Sequence, residues 1–330
     1  MSKRNQQKRV RSRLVHISLL LLLAQILFLA MPSVASAHSL ESEALGVDNA
    51  QVFSRTLVYG AESTYNITKQ LSVMGISDTR TSSYKAYPIR ISGKSIGASA
   101  LFINGMYYVP LRSFMTSVSG ISVNYNSSTK TATVSGSGLS MTLSDKSYVI
   151  YANDRALFEM SPARLMSDGR MYIPASTAAK ALSLSFSLTN GELRFSGTAK
   201  AIKHASSFYE EDAVYWLSRI ISAESRGEPL LGQIAVGNVI MNRVRSKDFP
   251  NTIWGVIFDR KYGVQFSPIA NGTIYNDPAF TSILAAKICL EGFSLSDDAL
   301  YFLAPKYASS SWISKNKNYE FTIENHEFYS

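Results

Sequence analysis

Residues 213–245 read AVYWLSRIISAESRGEPLLGQIAVGNVIMNRVR, and this stretch decides the class of the C-terminal half. Val214, Leu217, Ile221 and Glu224 follow one another at steps of three, four and three, so a helix carries all four on one face. A carboxylate that continues an apolar stripe costs free energy unless it is partnered or protonated, and partial burial raises its pKa. A raised pKa is what a general acid needs to hold a proton near neutral pH. Gly227, Glu228 and Pro229 then end the helix, leaving Glu224 where a cleft can open. The bland alternative is a structural ion pair with Arg219, Arg226 or Arg243. A second helix is predicted over Gln233–Val244. Its Ile234, Val236, Val239 and Ile240 surround the axis, so it belongs at the centre of a core. A third begins near Asp277 as cap, with Pro278 in its first turn, Phe280, Leu284 and Ile288 at four-residue intervals, and Gly292 beyond its end.

Upstream, from Tyr87 to about Ser196, the period changes from helical to alternating. Ile89-Arg90-Ile91, Ile121–Tyr125 and Thr131–Val134 alternate as half-buried strands do. Asn104-Gly105-Met106-Tyr107-Tyr108-Val109-Pro110 returns as Asp168-Gly169-Arg170-Met171-Tyr172-Ile173-Pro174, at a constant offset of 64 residues. Each copy is a turn, a short strand, a proline and a helical stretch (Leu111 to Val118; Ala175 to Leu182). Two copies packed together make one small α+β domain. The expected class is therefore α+β, with a β-rich domain of two related halves followed by a mainly helical domain.

The chain opens with six basic residues before position 14 and no Asp or Glu in residues 1–37. An apolar run from Leu14 to Met31 and the segment Val34-Ala35-Ser36-Ala37 complete the pattern of a secretory signal peptide. That run also approaches the length of a membrane span, but His16, Ser18 and Gln25 interrupt it. Setting the segment aside leaves +3 of the chain's formal +9, too little to argue for a nucleic-acid partner. The expected organisation is a signal peptide at 1–37, a spacer at 38–85, the β-rich domain at 86–198, a linker at 199–212 and the helical domain at 213–330. The expected location is secreted, with membrane contact only through the signal segment. The lone Cys289 permits no intrachain disulfide, so packing alone holds the domains.

The pair NGMYYVPLRSF and DGRMYIPASTAAKAL resembles the copper amine oxidase N-terminal-like domain of bacterial surface and wall proteins. The second copy lacks the Leu-Arg after its proline. No cluster of His or Cys ligands accompanies it, so no copper is expected, and the resemblance implies a spacer or wall-association role. The stretch RIISAESRGEPLLGQIAVGNVIMNRVRSKDFPNTIWGVI resembles the spore cortex-lytic enzyme and cell-wall hydrolase family of the SleB/CwlJ type. Carrying motifs are Ala223-Glu224-Ser225-Arg226-Gly227-Glu228-Pro229, Gly232-Gln233 and Asn242-Arg243-Val244. Gln265-Phe266-Ser267-Pro268, Ala299-Leu300-Tyr301-Phe302, Pro305-Lys306, Trp312 and Asn325-His326-Glu327-Phe328-Tyr329 follow in order. Departures fall at Ser222, Ser225, Ala304 and Glu324. The resemblance covers about 213–330 and implies a lysozyme-like fold acting on the glycan strands of peptidoglycan in cortex lysis, germination, sporulation or wall remodelling. No cofactor or metal is implied, and accessory spore or wall proteins are partners the class allows.

On that reading Glu224 is the catalytic acid of a lytic transglycosylase or muramidase-like enzyme. One carboxylate suffices for transglycosylation, whereas hydrolysis needs a second acid, for which Glu228, Asp259 and Glu324 are candidates. Sugar recognition needs amides, hydroxyls and aromatic faces. Gln265, Phe266, Ser267, Tyr301, Trp312 and His326 are the candidates for substrate binding, although each aromatic also suits a core. Three rivals remain. An N-acetylmuramoyl-L-alanine amidase of the zinc type needs clustered ligands, but His38, His204 and His326 are scattered. A Cys289/His326 peptidase would place its thiol at the wrong end of a helix. A non-catalytic wall-binding protein would not need Glu224.

Overall fold

The computed structural model describes residues 84–261, 263–306, 308 and 312–330, and all of them fall in one compact unit. The expected signal peptide and nearly all of the spacer lie outside the described residues. The class is α+β.

β1 (Lys85–Ile91), β2 (Lys94–Ile103) and β3 (Met106–Pro110) run into α1 (Leu111–Met115). β4 (Ser122–Asn126), β5 (Thr131–Gly136), β6 (Leu139–Ser144), β7 (Val149–Ala152) and β8 (Arg155–Phe158) form an antiparallel five-stranded sheet. β9 (Arg164–Leu165), β10 (Met171–Pro174), α2 (Ala175–Ala181), β11 (Ser185–Thr189) and β12 (Glu192–Ser196) complete this half. The other sheet has the order β11-β12-β1-β2-β3-β10-β9. Only β1 and β12 run parallel in it, with Ile89 opposite Leu193. Alternating apolar residues of both sheets, such as Ile89, Val134, Met141 and Phe195, meet Phe114 of α1 and Ala178 of α2 in one core.

The repeat read in the sequence is a physical one. β3 and β10 pair antiparallel with Val109 opposite Ile173, the two positions that the 64-residue offset makes equivalent. Each copy's proline stands immediately before its helix, where the fixed φ costs no hydrogen bond.

The segment 199–212, expected as a linker, is packed. Ile202 is buried in the first core, and its carbonyl accepts from Asn153 Nδ2 at 2.8 Å. α3 (Ala205–Phe208) leads into α4 (Glu211–Ser225) and α5 (Leu230–Arg245). Then come α6 (Ile253–Ile257), α7 (Ser267–Asn271), a 3-10 turn at Thr273–Tyr275 and α8 (Phe280–Leu290). β13 (Tyr301–Leu303), α9 (Trp312–Asn316), β14 (Tyr319–Ile323) and β15 (His326–Tyr329) close the chain, with sheet order β13-β15-β14.

α4, α5 and α8 pack on one another, with α5 buried nearly all round as its pattern predicts. Gly237 permits the closest approach. A Cβ there would lie 2.7 Å from Cys289 Sγ and 2.8 Å from Ile221 Cδ1. The polar residues of α5 are fasteners. Asn238 donates to the carbonyl of Phe293, Asn242 to those of Ser296 and Ala299, and Arg243 to that of Leu300. One sequence expectation needs correction: Asp277 does not cap α8. Its N-cap is Ala279, whose N–H donates to Ser222 Oγ at 3.0 Å, while the exposed Asp277 carboxylate lies 3.6 Å from Arg219. The expected stop holds, since Gly292 has φ +90° just past the helix.

β8 belongs to both halves. Leu157 faces the first core, while Ala156 and Phe158 face the helices, as a strand's twofold alternation dictates. Arg155 reaches across to Glu291, donating through Nε and Nη2 at 2.8 Å each. The two side chains are only 7% and 2% exposed. Tyr209 Oη and Lys180 Nζ also contact the Glu291 carboxylate, at 2.7 and 2.8 Å. Burial pushes that carboxyl up, but the hydrogen bonds from Arg155, Lys180 and Tyr209 outweigh it and hold the pKa below the usual range.

Removing the Glu291 carboxylate strands a buried guanidinium. Glu291→Ala should therefore lower unfolding stability by about 3–5 kcal/mol in urea titrations. Gly237→Ala should cost about 1–3 kcal/mol by overpacking α5 against α4 and α8, read from the same titrations.

Candidate active site

Glu224 lies in the last turn of α4, and it makes no hydrogen bond or ion pair among the described residues. The three arginines weighed as partners are engaged or remote from it. Arg219 donates to the carbonyl of Asn276 at 2.7 Å and covers the Tyr215 ring, Arg243 serves Leu300, and Arg226 is exposed. Burial alone therefore acts on the Glu224 carboxyl and pushes its pKa up to about 7. It is half-buried, so the group is not lost in the core.

The backbone around it is fixed by neighbours. Ser225 Oγ donates back to the Ile221 carbonyl at 2.7 Å. Gln233 Nε2 donates to the carbonyl of Glu228 at 2.8 Å and to Thr281 Oγ1 at 3.1 Å. Ser282 Oγ donates to Gln233 Oε1 at 2.7 Å. One buried amide thus joins the turn after Glu224 to the start of α8. From the other side, Glu228 Oε1 accepts from Asn325 Nδ2 at 2.9 Å and lies 3.6 Å from His326 Nδ1. Gly232 allows this approach: a Cβ there would stand 3.1 Å from Glu228 Cβ and 3.5 Å from Ile323 Cγ2. Gln233, Ser222 and Asn325 were not singled out from the sequence for these tasks. The available signal was a polar residue inside an apolar helix, which must find partners when buried.

The carboxylates considered as second acids differ in their freedom. Glu228 is held by the β14–β15 hairpin. Asp259 Oδ1 accepts from the Lys261 N–H at 2.9 Å. Glu324 is exposed at the tip of that hairpin with φ +47°.

The six sugar-binding candidates are brought together in part. Phe266 is only 4% exposed, its ring near Phe302 and beneath the Arg243 guanidinium. It offers no free face to a sugar, and packing explains it. His326 is also buried, against Phe302 and Glu228, and burial lowers its pKa despite the pull of Glu228 in the other direction. Tyr301 is half-buried between Arg243 and Lys317 Nζ, the latter 4.2 Å from its ring centroid. Trp312 is exposed 6.5 Å from Tyr301. Ser267 is exposed at the start of α7, and Gln265 is half-buried with Nε2 donating to the Gly263 carbonyl. Gln265, Ser267, Tyr301 and Trp312 keep accessible surface.

The Cys289/His326 pairing has no support in this geometry. Cys289 is buried, its thiol donating to the Ile234 carbonyl at 3.4 Å, and burial pushes its pKa up. His204 pairs with Asp154 at 2.7 Å, on the other domain.

Two stretches of the chain match known protein families. Residues 227–329 match the family described as Cell Wall Hydrolase, beginning just after Glu224. Residues 90–194 match the Copper amine oxidase N-terminal domain. The spore cortex-lytic enzyme of Bacillus cereus is 41% identical over 105 residues, 32% of this chain and 39% of that protein. Its counterpart in Bacillus subtilis strain 168 is 37% identical over 105 residues, 32% of this chain and 33% of that protein. The chain thus spans well under half the length of these curated relatives. Among solved structures, the catalytic domain of the germination-specific lytic transglycosylase SleB from Bacillus anthracis is 38% identical. The alignment covers 37% of this chain and 97% of that one, with a TM-score of 0.34. Residues 227–329 thus match a cell wall hydrolase family, and the stretch before them matches the copper amine oxidase N-terminal family.

Proposed function

We propose that the C-terminal domain cleaves the glycan strand of peptidoglycan by lytic transglycosylation, with Glu224 as its proton donor. The observation that carries this reading is a half-buried carboxyl with no partner among the described residues, pushed to about 7 by burial, on a backbone pinned by Gln233 and Asn325. Such a group is protonated often enough near neutral pH to donate, and it ionises readily enough to accept.

Glu224 protonates the glycosidic oxygen between muramic acid and N-acetylglucosamine. The bond breaks as an oxocarbenium-like centre develops at C1 of the muramoyl ring. The resulting carboxylate takes the proton of the C6 hydroxyl, whose oxygen bonds to C1 and closes a 1,6-anhydro ring. Donor and acceptor are the same group, so the cycle ends with Glu224 protonated again. Glu228, tied to Asn325 and His326, supports the turn and takes no part in activating water. Gln265, Ser267, Tyr301 and Trp312 are assigned to sugar contact.

The relatives' name, spore cortex-lytic enzyme, directs the substrate assignment to cortex glycan. Secretion through the segment at 1–37 would bring the domain to it. The copper amine oxidase N-terminal-type domain is assigned a wall-association or spacing role, with accessory wall or spore proteins as further partners.

Glu224→Gln should abolish release of anhydro-muropeptides from purified cortex, read by mass spectrometry. Release of free reducing ends, or of peptides free of sugar, by the native protein would instead identify a hydrolase or an amidase. The native rate should fall as pH rises through about 7, because the donor ionises. Stability follows the same sign. The folded state holds the Glu224 proton more tightly than the unfolded chain, so its contribution is present at low pH and is lost between about 4.5 and 7. Glu224→Gln should accordingly match the native protein at pH 4 and exceed its stability at pH 8, by at most about 3 kcal/mol.

A further inference from the structure

Away from Tyr301 and Trp312, a second set of aromatic rings stands on the helical domain. Trp254 of α6 stacks on Phe258 at 5.0 Å and 28°. Phe258 meets Trp216 of α4 edge-on at 5.1 Å, and Trp216 meets Tyr275 at 6.4 Å. Tyr215 adds a contact to Trp216 at 4.9 Å. The outer members are open to solvent, Trp254 at 56% and Tyr275 at 62%. In α6, Val256 and Ile257 are fully buried, so the helix has a packed face and turns its tryptophan outward. Leaving such a ring in water forgoes about 1.5–3 kcal/mol of burial, and this surface does so at both ends of one continuous row.

The row is linked to the acid by α4. Trp216, Ile220 and Glu224 lie at four-residue steps and form one ridge of the helix. Trp216 precedes Glu224 by eight residues, a rise of about 12 Å, roughly the span of two or three pyranose rings. The start of α4 carries Glu211 and Asp212, with Asp212 one helical turn before Trp216. Carboxylates on the helix that carries Trp216 disfavour an anionic lipid surface or another acidic partner. They suit a neutral polyol, whose hydroxyls donate to carboxylates while its C–H faces lie on aromatic rings.

We propose that Trp254, Phe258, Trp216 and Tyr275 form a remote binding strip for the same glycan strand that Glu224 cuts, holding sugar units several rings away from the scissile bond. This rests on the glycan reading above and extends it from a cutting point to a processive or anchored grip on a polymer. Its consequence is a dependence on chain length: long strands gain the strip, and short oligosaccharides cannot reach it.

The test uses the full chain as Glu224→Gln, so that bound strands are not cut, in cosedimentation with purified peptidoglycan sacculi. Trp254→Ala with Tyr275→Ala should weaken retention by about tenfold or more, if each ring contributes as aromatic contacts commonly do. Trp254→Phe with Tyr275→Phe should retain it, because the ring faces remain. In the catalytically intact protein the alanine pair should slow turnover of sacculi while leaving turnover of a tetrasaccharide unchanged. Urea midpoints equal to those of the parent exclude a folding defect, and a lowered midpoint shared by the phenylalanine pair would assign the rings to packing and overturn the strip. Unchanged sacculus retention in the alanine pair overturns the strip alone. Failure of the Glu224→Gln parent to bind sacculi at all overturns the glycan reading together with it. Loss of binding to phosphatidylglycerol vesicles, with sacculus retention intact, would show a membrane surface instead.

Discussion

The side-chain amide of Gln233 can make four hydrogen bonds and uses three of them to close the end of α4 against the beginning of α8. Buried in the centre of the domain, it has no water to fall back on, so each bond left unmade would cost on the order of 1–3 kcal/mol. The position of Glu224 depends on this closure. A carboxyl without partners has nothing of its own to fix it, and its surroundings are set by the turn that Gln233 and Asn325 hold from opposite sides. The absence of a partner at Glu224 among the described residues and the abundance of partners at Gln233 are parts of one arrangement. An ion pair would have lowered the pKa that desolvation raises.

The helical stripe through Glu224, the central helix after it and the duplicated Gly-Met-Tyr-Tyr-Val-Pro unit were legible because each is a local period, and local periods survive into the fold. The Asp277 cap was not. A sequence shows that Asp-Pro can begin a helix, but it cannot show that Ser222, more than fifty residues earlier, supplies the oxygen for Ala279 instead. The packing of Phe266 and His326 was not legible for a related reason. Their type suited a sugar, while their burial depends on Arg243 and Phe302, which lie far away along the chain. The exposed row at Trp254 and Tyr275 was missed because no period links α6, α4 and the 3-10 turn.

The seam at β8 changes what the two domains can do separately. A strand whose alternate residues serve two cores cannot be peeled from either without exposing the other, and Glu291 ties that strand to α8 and α2 with little solvent access. The β-rich domain and the hydrolase domain thus lose stability together. A wall-association role for the former would fix the orientation of the latter, unlike a module on a flexible tether.

The opposition of Val109 and Ile173 across β3 and β10 has a further effect. One copy of the repeat by itself would leave a strand edge with unpaired amides and carbonyls, open to any extended chain nearby. Because equivalent residues face each other about a local twofold axis, the second copy satisfies that edge with the same geometry the first presents. Duplication within one chain thereby shields the middle of the sheet from pairing with foreign strands.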